Sequence, residues 1–320
     1  MMVSVRNLPL VAVVGTTASG KTELGVRLAK CLGGEVISAD SRAIYRGLDV
    51  GTAKPTLAEM SGVPHWGIDI VNLDNKFTVA DFQKYAQQKI HEIRQRGHVP
   101  ILVGGSGLYI DSVVFGYHFA DNGNVKMRGQ LKDKSVPELQ KIITEHGILM
   151  PENSKNPRYL TRAIEKNMTA TDDNITTSNR YRLLNNVIVV GISLDKKIIR
   201  CRIDKRIHEM FANVDLANET YNGFLAYAPN FMRKIEQKTW SKQDFRQLPE
   251  ALKSNVYLYK LREMSGELTR AQAEKLAAID DWHLAKKQLT WFRRNPYISW
   301  LTADGAVEFL MGKIRDLRDV

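Results

Sequence analysis

Gly15-Thr16-Thr17-Ala18-Ser19-Gly20-Lys21-Thr22 spells G-x-x-x-x-G-K-T. That spacing binds phosphate. The glycines let successive backbone N–H groups turn toward phosphate oxygens, Lys21 supplies a mobile positive charge, and the Thr22 hydroxyl suits a Mg²⁺ ion. A phosphorylated small molecule is expected here, with magnesium as cofactor.

Four other segments carry residue types suited to chemistry. In Ser38-Ala39-Asp40-Ser41-Arg42, the Asp40 carboxylate could accept a proton or could cap a helix, and spacing alone does not choose. Gly104-Gly105-Ser106-Gly107 offers a hydroxyl among glycines that permit close approach, although a plain strand-to-helix turn reads the same way. Arg200, Arg202, Lys205 and Arg206 fall on one expected helix, with Arg202 and Arg206 four apart on a shared face. Two guanidiniums there suit a diphosphate or RNA phosphates, and a solvated stripe is the plainer alternative. Ala285 to Arg294 interleaves cations with Trp291 and Phe292. This fits base stacking with phosphate contact, or an amphipathic helix that packs Trp291 on a core.

The elements around these segments must place them. Leu8 to Val14 is an apolar, valine-rich run that reads as a buried strand. Leu24, Val26, Leu28, Ala29 and Leu32 follow at helical spacing, and Gly33-Gly34 ends the run. Strands are expected at Glu35–Asp40, Gly67–Val71, Val99–Val103 and Val187–Ile192, with a Thr78-capped helix from Val79 to about Arg96. The alternation predicts an α/β fold: a P-loop doubly wound parallel sheet with a helical insertion and a mostly helical C-terminal annex. Residues 1–116 would begin the core, 117–156 form the insertion, and 157–320 return to the sheet and finish in helices, with breaks at Pro229 and Pro249.

Net charge is +11, and most of the basic excess lies after residue 110. That balance favours a polyanionic partner, nucleic acid first. No run of apolar residues is long enough to span a membrane. Cys31 and Cys201 cannot build a disulfide framework or a zinc site and read as buried, reduced thiols, so a cytoplasmic protein is expected.

Taken together, G-T-T-A-S-G-K-T, I-S-A-D-S-R-A-I-Y-R-G-L-D-V-G-T-A-K-P, G-V-P-H-W-G-I-D-I, R-G-H-V-P-I-L-V-G-G-S-G-L-Y and A-K-K-Q-L-T-W-F-R-R resemble the tRNA dimethylallyltransferases, bacterial type, in order and spacing. The resemblance runs from about residue 8 to 300. It implies transfer of a dimethylallyl group from dimethylallyl diphosphate to the exocyclic amine of the adenosine 3′ of a tRNA anticodon. It also implies a catalytic set of Asp40, Ser106 and Arg206: Asp40 as general base, Ser106 orienting the amine, Arg206 beside Lys21 at the diphosphate. By the same resemblance, tRNA contacts fall at Asp40, Ser41, Arg42, Ala43, Ser106, Arg128, Arg158, Tyr159, Leu160, Thr161 and Arg162, the insertion grips the anticodon stem-loop, and the enzyme works as a monomer. Ser106 stands where the family usually has threonine and keeps the hydroxyl. Ala43 stands where many members carry glutamine, and Tyr257-Leu258-Tyr259-Lys260 is a poor match to the family's G-Y-K-E. A P-loop kinase using ATP on a small molecule or nucleoside is the rival reading.

Overall fold

The structure, a computed structural model, describes residues 8–117, 119, 129–168 and 182–318. The chain divides into two compact units, one made of Met1–Gly116 with Tyr181–Val320, the other of Tyr117–Arg180. In chain order the first unit contributes β1 (Leu10–Val14), α1 (Lys21–Leu32), β2 (Gly34–Ser38), α2 (Leu57–Met60), β3 (His65–Trp66), α3 (Val79–Gln95), β4 (Val99–Gly104) and α4 (Gly107–Val114). The second unit holds α5 (Val136–Glu145) and α6 (Pro157–Met168). The first then resumes with β5 (Val187–Ile192), α7 (Lys196–Ala212), α8 (Val214–Tyr227), α9 (Pro229–Glu236), α10 (Lys242–Arg246), α11 (Asn255–Met264), α12 (Arg270–Phe292), β6 (Ile298–Leu301) and α13 (Ala303–Arg318).

The six strands form one sheet in the order β3-β2-β4-β1-β5-β6, and every pairing is parallel. β1 lies inside, flanked by β4 and β5, and all five of its residues are buried. An unbroken Leu-Val-Ala-Val-Val run is what a strand covered on both faces requires. One face packs Leu24, Leu28 and Leu32 of α1 with Leu310 and Ile314 of α13. Beyond the sheet, α7, α8, α9, α11 and α12 bury a second core that also takes in Ile44, Tyr45 and Leu48. Parallel pairing has one consequence for chemistry: the loops after β1, β2 and β4 leave the same carboxyl edge, where open α/β sheets bind ligands.

Several expectations need correction. The strand expected at Gly67–Val71 is instead β3 at His65–Trp66. Gly67 and Asp69 take positive φ (81° and 54°) and break the extended run, leaving Val71 a single bridge to Tyr45. The second unit runs to Arg180, past the boundary expected at 156, because Leu160 and Ile164 of α6 share a core with Leu139 and Ile143 of α5. Cys31 and Cys201 are both exposed, not buried. Each faces outward on a helix whose apolar positions are already filled, by Leu28 and Leu32 on α1 and by Ile199 and Ile203 on α7.

At the far side of the sheet, buried Glu35 anchors the end of α3. Its carboxylate accepts from Arg96 Nε and Nη2 at 2.8 Å each, from Trp66 Nε1 at 2.7 Å, and meets His98 Nδ1 at 2.7 Å. Burial pushes this carboxyl up, but those donors outweigh it and hold the pKa at about 2.

Candidate active site

The P-loop joins β1 to α1 through residues that only unusual backbone can supply. Gly20, the N-cap of α1, has φ 88°, and Ala18 has φ 59°. Left-handed residues within a loop turn neighbouring N–H groups into an anion-binding concavity. No side chain caps α1, so its first N–H groups and its dipole add to that concavity. Thr16 Oγ1, Ser19 Oγ and Arg206 Nε are buried with no partner among the described residues. Such groups cost roughly 1–3 kcal/mol each while unpaired, which a ligand rich in acceptors would offset for the two hydroxyls and the guanidinium alike.

Four charged groups surround the loop. Lys21 Nζ donates to Thr16 O at 3.1 Å. Burial lowers the Lys21 pKa to about 8; Asp40 is the charge that most opposes the fall, Arg206 adds to it, and Asp281 opposes it. Asp40 therefore acts on the cradle, as the crevice reading requires. The capping reading also holds in a modified form. Asp40 Oδ1 accepts from the N–H groups of Arg42 at 2.8 Å and Ala43 at 3.4 Å, closing a turn and not a helix. That leaves Oδ2 for a substrate.

The two arginines of α7 separate from their neighbours. Arg206 Nη2 donates to Thr17 Oγ1 and to Asp281 Oδ2, both at 2.5 Å, and Arg202 Nη1 reaches Ser19 O at 3.4 Å. Arg200 and Lys205 instead pair along the helix with Asp204 and Glu209. The shared face of Arg202 and Arg206 thus meets the P-loop, and the other two behave as the solvated stripe.

Ser106 lies beside the Asp40 turn. Its Oγ accepts from Ser41 N at 3.0 Å and donates to Ser41 Oγ at 3.2 Å. Ser106 N donates to Ala39 O, which ties the loop after β4 to the loop after β2. Asp40, Ser41 and Ser106 are therefore one constellation at the sheet edge, next to Lys21.

Helix α12 binds the two halves together. Gln288 Oε1 accepts from Thr17 N at 2.7 Å, and Gln288 Nε2 donates to Gly105 O at 3.1 Å. Trp291 packs against Gly107, where no side chain would fit, and its Nε1 donates to Asp111 Oδ2 at 2.7 Å. Trp291 thus packs on the core as one of the two compatible readings expects. Asp281, Gln288 and Trp291 are seven and then three residues apart, so they share a face of α12. Sequence reasoning missed Asp281 and gave Gln288 no role. No spacing within α12 or α7 marks them, because their role depends on how the two helices pack.

A further pair was also missed. Glu219 of α8 accepts from the N–H groups of Asp49, Val50 and Gly51, and from Tyr257 Oη at 2.9 Å. Burial and the neighbouring Glu219 carboxylate drive the Tyr257 phenol above its ordinary range. The segment that looked like a weak motif match is thus a clamp on the loop that follows Asp40.

Other expected site residues divide by exposure. Arg42 is half-buried and reaches Lys253 O at 3.4 Å. Ala43 is buried, so its side chain offers no surface to a partner. In the second unit Arg158, Tyr159 and Arg162 are exposed and Thr161 is half-buried. Leu160 is fully buried in that unit's core, so its side chain serves packing and not RNA contact. Arg128 lies outside the described residues.

Among the described residues no cluster of three His, Cys, Asp or Glu side chains could cage a metal. Magnesium bound through substrate phosphates needs no such cage, only one or two protein oxygens. The Thr22 hydroxyl in the first turn of α1 is chemically suited to it.

A glycine loop at the carboxyl edge of a parallel sheet, ringed by lysine, arginine and a carboxylate, places the chain among the P-loop proteins. The comparisons with known proteins narrow this class. The model of the IPP transferase family matches residues 43–295. A tRNA dimethylallyltransferase of Desulfitobacterium hafniense strain Y51 is 35% identical over 304 residues, covering 91% of each chain. That of Bacillus subtilis strain 168 is 31% identical over 314 residues, covering 95% of this chain and 94% of its own. The crystal structure of the full-length tRNA isopentenylpyrophosphate transferase from Bacillus halodurans superposes with a TM-score of 0.65 at 30% identity, covering 96% and 97%. A eukaryotic dimethylallyltransferase acting on tRNA has the same fold, with a TM-score of 0.72 at 19% identity. This chain belongs to the IPP transferase family, whose matched relatives are tRNA dimethylallyltransferases. Nothing in these matches supports the kinase reading.

Proposed function

We propose that this chain transfers a dimethylallyl group from dimethylallyl diphosphate to the exocyclic amine of the adenosine 3′ to the anticodon, position 37, of tRNA, releasing diphosphate. The observation that carries the reading is the tie between the Asp40 loop and the Ser106 turn at the same sheet edge as the P-loop, which Arg206 contacts through Thr17. A phosphate-binding loop alone fits many reactions. A carboxylate beside it, free at Oδ2, is what an incoming amine needs.

The P-loop N–H groups and Lys21 hold the diphosphate as a leaving group. Arg206 and Arg202 stand where charge builds as the C–O bond breaks, and preorganised cations at that point lower the barrier. Magnesium, when bound through Thr22 and the diphosphate oxygens, would neutralise part of that charge. The target adenine leaves its stack to reach the crevice. Ser106 and Ser41 orient its amine, and Asp40 Oδ2 takes the amine proton as the new C–N bond forms. The exposed Arg158, Tyr159 and Arg162 of α6 offer cation and ring to the anticodon stem-loop, since single-stranded RNA is read by stacking and phosphate contact. The enzyme would act as a monomer.

Purified protein, unmodified tRNA and dimethylallyl diphosphate test the reading directly. Nuclease digestion and mass spectrometry should show prenylated adenosine at position 37, with negligible ATP hydrolysis. Absence of that nucleoside with every component present would overturn it.

A further inference from the structure

We propose that Gln288 closes the far end of the P-loop and thereby selects a two-phosphate donor over a triphosphate. This deepens the diphosphate reading above and rests on it. A P-loop that holds a nucleoside triphosphate uses its whole length. Its backbone N–H groups cradle the phosphates along the loop, and the lysine reaches the outer ones.

Here one of those N–H groups is already taken. The Thr17 N–H is bound to Gln288 Oε1 at 2.7 Å. The Thr17 hydroxyl is bound to Arg206, which Asp281 holds from the other side. Gln288 is itself fixed: its Nε2 donates to Gly105 O at 3.1 Å, and the carboxamide lies so close to Gly105 that even a Cβ there would sit 2.5 Å from Nε2. The carboxamide therefore holds the Thr17 amide that a third phosphate would otherwise meet, and releasing it breaks the bridge to Gly105.

The helix end is different. Gly20 has no side chain to cap the helix, and the buried Ser19 hydroxyl has no partner among the described residues. The loop is thus open around its helix end and occupied at Thr17. Two phosphates fit that arrangement; a third would have to displace Gln288 and break its bridge to Gly105.

Titration calorimetry with inorganic pyrophosphate and inorganic triphosphate, at one free magnesium concentration, tests this on the full chain. Wild-type protein is expected to bind pyrophosphate at least tenfold more tightly. Gln288→Ala is expected to lower that ratio at least tenfold, chiefly by tighter triphosphate binding. Gln288→Met, which keeps the volume but frees the Thr17 amide, is expected to shift the ratio in the same direction by a smaller factor. It serves if the alanine variant fails to fold by circular dichroism. A wild-type ratio near one, or a ratio that neither variant moves, overturns the role of Gln288 alone. Wild-type protein that binds neither anion overturns the diphosphate reading beneath it.

Discussion

Asp281 and Arg206 share a single short contact: Arg206 Nη2 lies 2.5 Å from Asp281 Oδ2 and the same distance from Thr17 Oγ1. One guanidinium nitrogen thus joins α12 to the phosphate loop across α7. The acid fixes where the cation points, and the cation's Nε is buried with no partner among the described residues. An arginine held this way meets developing charge without first reorganising.

Arg206→Ala should therefore lower kcat/KM for dimethylallyl diphosphate about 10- to 100-fold, the loss of a charge-assisted bond worth roughly 1.5–3 kcal/mol. Asp281→Asn should cost less, because the charge survives and only its aim is loosened. Steady-state kinetics with the donor varied will measure both. A wild-type constant for Arg206→Ala would return α7 to a structural role.

Asp40→Asn should reduce turnover by about 10²- to 10⁴-fold, the usual worth of a positioned base. The amide still accepts from the Arg42 and Ala43 N–H groups, so the turn should persist. Binding of tRNA, followed by fluorescence anisotropy, should stay within about threefold. If affinity fell in parallel with rate, Asp40 would be positioning RNA and not moving a proton.

Lys21, with a pKa of about 8 in the empty protein, should make donor binding pH-dependent. Below about pH 8 the ammonium is present and diphosphate binds it directly. Above that pH the free protein loses the charge, so binding must take up a proton and affinity should fall as pH rises. Calorimetry in buffers of different ionisation heat should show uptake approaching one proton near pH 9. The same lowered pKa means that the empty protein gains stability between about pH 8 and 10.5, where the unfolded chain still holds the proton and the folded one does not. Lys21→Met should abolish both effects, and persistence of the proton uptake in that variant would exclude Lys21 as its source.

Glu35 gives the opposite dependence. Its pKa, about 2, lies below the ordinary carboxylate value, so its contribution is complete above about pH 4.5 and is lost as pH falls toward 2. Glu35→Gln removes the charge that Arg96 and His98 meet and should destabilise by roughly 1.5–3 kcal/mol. Thermal melting across pH 3–7 should show the gap between variant and wild type narrowing on the acid side. A constant gap would place the stabilisation in packing.

Local pattern made the nucleus of this site legible. The P-loop, the Asp40 loop and the Ser106 turn each follow a buried strand, and strand parallelism alone puts them at one edge. The capping box at Thr78 and the breaks at Pro229 and Pro249 were equally local. What stayed hidden depends on distant helices. Asp281 and Gln288 matter only because α12 packs on α7, and no spacing within either helix reveals that neighbour. Glu219 and Tyr257 clamp Asp49–Gly51 from two further helices. Leu160 reads in sequence as part of the basic stretch around it, whereas its helix turns its side chain inward.

The loop at residues 15–22 is made well before its partners, since Thr17 meets Arg206 189 residues later and Gln288 271 residues later. A growing chain therefore carries the phosphate motif long before the side chains that shape it exist. Contacts this distant in sequence make folding slow. They also ensure that a prematurely terminated product lacks the finished grip, so ligand binding reports on a chain completed through α12.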